Sequence, residues 1–146
     1  MRFLKCVTRL TVVATAIIAA SLTTSVTAEA ASTPEATCGA GYYVIDHYDL
    51  KIATGWLMYN GSTDCVVTWK TQQIGTKTPL VASVGSSSPT NVPFPTHGRY
   101  GNADIDFDSY AYYAGPVYWY APHTCIEWYV SDPYYSAGSS GPEHCN

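Results

Sequence analysis

Asp104, Asp106 and Asp108 alternate with Ile105 and Phe107 and form the sharpest polar motif of the chain. In a β-strand successive side chains point to opposite faces, so the three carboxylates share one face. Like charges that close repel, and they call for solvent or a cation. An all-oxygen set suits a hard cation, so a weak Ca²⁺ site is one reading. The EF-hand spacing fails, because Ser109 stands where the turn glycine is needed. The same aspartates could serve as an acid/base pair for glycoside hydrolysis, since same-face neighbours on a strand lie about 7 Å apart. The plain alternative is a solvated acidic face.

Other chemistry-bearing residues are dispersed. His47, His97, His123 and His144 show no H-E-x-x-H or comparable ligand spacing. Gly138-Ser139-Ser140-Gly141 lacks the G-x-S-x-G order of a nucleophile elbow. Aromatics are the more distinctive resource, and they concentrate between Tyr110 and Tyr120. By alternation Trp56, Trp69 and Trp119 belong to the core. Tyr118 and Tyr120 then face the other way, with Tyr112 nearby in sequence. Exposed, they would be a tyrosine platform for sugar rings or for surface adhesion.

The elements that must position these residues read as short strands. Tyr42–Leu50 and Ile52–Tyr59 come first, followed by an Asn60-Gly61 turn that tolerates positive φ. Cys65–Thr71 is the third strand; Cys65, Val67 and Trp69 share one face, and Val66, Thr68 and Lys70 share the other, wetter one. Lys77–Val84 is a weaker strand, and the proline-rich stretch Gly85–Gly101 is a loop. Asp104–Tyr113 and Val117–Ala121 are strands that meet at a Gly115-Pro116 corner, Cys125–Val130 is the last, and Ser131–Asn146 is a tail. No helical stripe is evident. The expected fold is all-β, a small antiparallel β-sandwich, with a β-barrel as the alternative.

Residues 1–30 read as a Sec signal peptide: Arg2, Lys5 and Arg9 precede an apolar run, and Ala28-Glu29-Ala30 supplies the small-x-small cleavage pattern. Residues 31–146 then form a single secreted domain. Its four basic side chains, Lys51, Lys70, Lys77 and Arg99, face ten acidic ones. That balance argues against nucleic acid as a partner. Nothing after the signal is long and apolar enough to span a membrane as a helix. Cys6 leaves with the signal, and Cys38, Cys65, Cys125 and Cys145 imply two disulfides with three possible connectivities. Pairing the chain ends, Cys38 with Cys145, is favoured here, which leaves Cys65 for Cys125.

Several segments resemble the spore-associated protein A family of exported actinobacterial proteins. They are Tyr59-Asn60-Gly61-Ser62-Thr63, Cys65-Val66-Val67-Thr68-Trp69-Lys70-Thr71 with Gly75, Tyr112-Tyr113-Ala114-Gly115-Pro116-Val117, Ala121, and Cys125-Ile126-Glu127-Trp128. The resemblance implies export and association with spores or aerial cell surfaces, and it supplies no catalytic residues. The expectation is a non-enzymatic protein of the spore or cell surface, without a cofactor unless the acidic strand takes Ca²⁺. Its partners would be cell-envelope or spore-surface components. A polysaccharide-binding module using the exposed aromatics is the alternative, followed by a small secreted hydrolase or an enzyme inhibitor.

Overall fold

The structure, a computed structural model, describes residues 33–145; the expected signal segment lies outside them. One short helix and nine strands follow in order: α1 (Pro34–Cys38), β1 (Tyr43–Asp49), β2 (Ala53–Tyr59), β3 (Thr63–Lys70), β4 (Thr78–Gly85), β5 (Thr96–Tyr100), β6 (Ala103–Tyr110), β7 (Tyr113–Tyr120), β8 (Glu127–Ser131) and β9 (Ser136–Gly138). Two antiparallel sheets form, one ordered β1-β2-β3-β7 and the other β5-β6-β4-β8-β9. They pack as a sandwich, as expected, and do not close into a barrel. No described helix is long and apolar enough to cross a membrane.

Leu57, Val66, Leu80, Ala82, Val84, Ala114, Val117, Trp128 and Val130 fill the space between the sheets. Trp128 is the fully buried tryptophan, stacked on Tyr48 with ring centroids 4.8 Å apart. Gly55 lets the layers meet closely, because a Cβ there would overlap the Val130 side chain. Asp132 Oδ2 accepts the Ile52 N–H at 2.7 Å, and its Oδ1 accepts from Tyr134 and Tyr135, both at 2.8 Å. This buried carboxylate therefore ties the β1–β2 turn to the β8–β9 turn.

Several sequence expectations need correction. Val66, Thr68 and Lys70 lie on the buried inner face of β3, not on a wet one. Thr68 Oγ1 donates to Val81 O at 2.5 Å, and the Lys70 ammonium donates to Thr76 O at 2.6 Å and Thr78 Oγ1 at 2.9 Å. Burial holds the Lys70 pKa below the ordinary lysine value. The β3–β4 connection curls over the lysine head, so the long side chain stays inside while its charge is solvated by protein oxygens. A strand, β5, forms inside the expected loop, because the Gly101-Asn102 turn folds Thr96–Tyr100 back along β6. The tail adds β9 beside β8. Helix α1 is one turn, begun by Thr33, whose Oγ1 accepts the Ala36 N–H at 3.1 Å, with Pro34 just inside the start.

The disulfides are two in number but pair differently from the favoured scheme. Cys38 bonds Cys65, and Cys125 bonds Cys145. Helix α1 docks on the outer face of the first sheet, where Cys65 sits. The tail returns beside β8 through an Ile126–Glu143 bridge, which brings Cys145 to Cys125. Cys65 and Cys125 thus belong to different layers. The separations, 27 and 20 residues, are short. In the chain-entropy description each closure contributes about 3–4 kcal/mol.

Asp64 is the costly residue of the interior. It is 0% exposed, and neither carboxylate oxygen has a hydrogen-bond partner among the described residues. Burial pushes its pKa up to about 6 from 3.8, partly offset by the charge of His144.

Two outcomes are expected. Non-reducing peptide mapping of the oxidised protein should return Cys38–Cys65 and Cys125–Cys145 peptides; recovery of a Cys38–Cys145 peptide would refute the assigned pairing. Asp64 binds its proton more tightly folded than unfolded, so its contribution to stability should be fully present below about pH 4 and be lost as pH rises from about 4 to 6. The cost at neutral pH is about 3 kcal/mol, because each tenfold gain in proton affinity on folding corresponds to about 1.4 kcal/mol. Asp64→Asn should flatten that part of the stability–pH profile in urea unfolding with EDTA present, whereas an unchanged slope would exonerate Asp64.

Candidate functional site

The acidic strand does place Asp104, Asp106 and Asp108 on one face, as alternation requires. That face is the inner one, since they pair with Val84, Ala82 and Leu80 of β4. It opens at the side of the sandwich, where β7 forms the free edge of the other sheet. Gly115 N–H donates to Asp106 Oδ2 at 2.6 Å, and Tyr118 N–H donates to Asp104 Oδ2 at 3.1 Å. Asp106 also accepts from the Tyr110 hydroxyl and meets His97 Nδ1 at 2.7 Å. His97 Nε2 lies 3.4 Å from Asp108 Oδ2, and Asp108 Oδ1 accepts the Ser109 N–H at 2.7 Å. The carboxylates thus meet N–H and O–H donors of the protein itself.

The electrostatics follow from these contacts. The Asp106 hydrogen bond, with Asp106 and Asp108 as neighbouring charges, raises the His97 pKa above its ordinary value. Burial and the bond to Asp106 raise that of Tyr110, which makes its hydroxyl a donor and not a nucleophile. Next along the same face, Arg99 lies over the Trp119 ring at 4.0 Å. Trp119 therefore sits at the inner margin, partly buried against the core.

The expected corner at Gly115-Pro116 is instead a bulge inside the continuous strand β7. Register against β3 shifts between Val66 and Thr68: Val66 pairs with Val117 and Thr68 with Ala114. Gly115 has φ 91°, and a Cβ there would come within 2.6 Å of Val66 O. The extra residue reverses the alternation, so Ala114 and Val117 both point inward and Tyr113 and Tyr118 both point outward. The turn between β6 and β7 comes earlier, at Ala111-Tyr112.

An aromatic outer face results. Tyr118 is 37% and Tyr120 71% exposed. Tyr118 packs on Tyr42 with centroids 6.0 Å apart and donates its hydroxyl to Cys38 O at 3.2 Å. Trp69 stacks on Tyr113 at 4.9 Å, 3° from parallel, and Trp56 stacks on His47 at 5.4 Å. Trp56 and Trp69 are thus half-buried members of this face, not of the interior as alternation suggested. They pack over Met58, Val67 and the Cys38–Cys65 bridge. Tyr112 is exposed but lies at the opposite end of β7 from Tyr120, about 26 Å away at strand rise, so it does not join them. On the far side of the molecule, the loop after β4 covers a cavity of about 240 Å³ lined by Val81, Ser83, Ile105, Phe107 and Tyr129.

An antiparallel sandwich with one disulfide in each layer and an aromatic outer sheet defines the class of this protein. The chain belongs to the spore-associated protein A family. It is 33% identical over 127 residues to Spore-associated protein A of Streptomyces coelicolor, across 81% of this chain and 75% of that protein. No family model matches the chain, and no solved structure matches it.

Asp106→Ala should remove acceptors from Gly115, Tyr110 and His97 together. The expected loss is about 3 kcal/mol in denaturant unfolding, typical of uncovered donors to a charged acceptor. His97 should also titrate at lower pH by NMR. A His97 titration that does not move would show that Asp106 is not the group that holds it.

Proposed function

We propose that this chain is a non-enzymatic exported protein that associates with the spore or cell surface. Kinship with a protein named for its association with spores carries the reading. The two disulfides suit an oxidising, extracellular setting. The aspartates that could have formed a hydrolytic pair are engaged by the β7 edge, which supports a structural use for them. The outer aromatic face supplies the contact surface. Tyr118, Tyr113 and Trp69 are held by ring packing, so little of their side-chain freedom is lost on contact.

A second reading has its own support. Tyr118 and Tyr120, with Trp69 and Tyr113 on the same layer, present ring faces and hydroxyls of the kind that stack on and hydrogen-bond to polysaccharide. On this reading the surface component is the polymer itself.

Cell fractionation tests the first reading and polymer retention the second. The tagged protein should be recovered with spores or cells and released by gentle detergent washing; recovery only from free medium would reject surface association. In pull-downs on chitin, cellulose and peptidoglycan, Tyr118→Ala with Tyr120→Ala should lower retention about tenfold or more, as the loss of two stacking rings implies. Equal retention of variant and wild type would remove this face from polysaccharide binding.

A further inference from the structure

A second cluster lies at the other side of the sandwich and involves residues of neither surface above. Asp46 is on the edge strand β1, paired with the core residue Leu57, and so faces inward. Glu143 and His144 come from the C-terminal tail. His144 Nε2 lies 3.2 Å from Asp46 Oδ2 and 3.8 Å from Glu143 Oε1. One ligand atom from each residue can be chosen so that all lie within 4.8 Å of one another. Around an ion with bonds of about 2.0–2.2 Å, tetrahedral ligand atoms stand roughly 3.3–3.6 Å apart. The trio is therefore close to a coordination triangle already.

One further observation leaves a buried charge in need of a partner, and two show that the trio is held in place. Asp64, fully buried and without a hydrogen-bond partner among the described residues, lies on the same inner face as Asp46, two strands across. Glu143 is held in place by Trp128 Nε1–H at 2.7 Å and Ser139 Oγ–H at 2.8 Å, both on Oε1. Such outer hydrogen bonds orient ligating carboxylates. Finally, the Cys125–Cys145 bridge and the Ile126–Glu143 pairing fix the tail backbone on either side of His144.

We propose that Asp46, Glu143 and His144 bind a divalent first-row transition ion of the zinc class. The imidazole nitrogen selects against Ca²⁺, which takes oxygen ligands. Three protein ligands leave one position for solvent, and all three side chains are partly exposed, which gives the ion a path in. The ion would clip the tail to the edge of the opposite sheet.

The test uses the full oxidised chain, stripped with EDTA and titrated with ZnCl₂, with CaCl₂ as the comparison. Equilibrium dialysis with elemental analysis should find one zinc per chain, and zinc but not calcium should raise the melting temperature. His144→Gln and Asp46→Asn should each weaken zinc binding by at least the about 10–100-fold typical of losing a supporting partner. Ser139→Ala should weaken it less. Each variant's melting temperature in EDTA checks that it still folds. Failure of the wild type to retain zinc, or equal retention by both ligand variants, would overturn the proposal.

Discussion

The backbone donors along the free edge of β7 are the constraint around which the molecule is arranged. An edge strand presents unpaired N–H groups that must find water or an acceptor and that invite pairing with other chains. Here the acceptors come from the opposing sheet: Asp104 takes the Tyr118 N–H and Asp106 takes the Gly115 N–H. Because β6 precedes β7 directly and lies in the other layer, these two bonds also close the side of the sandwich. The bulge at Gly115-Pro116 sets which N–H groups face the aspartates and, by reversing alternation, which tyrosines face solvent. Edge protection and the aromatic surface are thus two results of one irregularity.

The interior carries polar groups that a larger core could avoid. Lys70 is buried with its ammonium met by Thr76 and Thr78, and Asp132 is buried with three N–H donors around it. These two are matched, so they fix the connection after β3 and the turn after β8 at modest net cost. Among the described residues Asp64 is the unmatched one, an exception to the rule that buried charge is hydrogen-bonded. The charge of His144 offsets part of this cost, which links Asp64 to the tail.

Much of the fold was legible in the sequence. Period-two patterning marked the strands of both sheets, and the Asn60-Gly61 turn located the β2–β3 hairpin. The alternation in Asp104–Asp108 put its carboxylates on one face. Alternation alone cannot say which face is inside, so it places Lys70 in water and Trp56 and Trp69 in the core, the reverse of what the packing shows. The bulge inverted the parity of β7, and a Gly-Pro pair reads equally as a corner or a bulge. Strands β5 and β9 have little β-propensity of their own; His97, Gly98 and Arg99, or Ala137 and Gly138, become strand only by pairing with β6 and β8. Cysteine pairing depends on which layer each residue joins, which spacing does not encode. The grouping of Asp46 with Glu143 and His144 spans nearly a hundred residues and emerges only from the return of the tail.

The pairing of the disulfides also determines how the domain bears force. Cys38–Cys65 anchors the N-terminal end in one sheet, and Cys125–Cys145 anchors the C-terminal end beside the other. A bridge between Cys38 and Cys145 would have joined the two ends and let tension bypass the fold. With the observed pairing, a pull on both ends passes covalently to Cys65 and Cys125 and then through the strands between them. The load falls on hydrogen bonds and on the seam between layers, including the two aspartate bonds to β7. Under tension applied at its two ends, the sandwich itself, and not its covalent staples, is the element that stretches first.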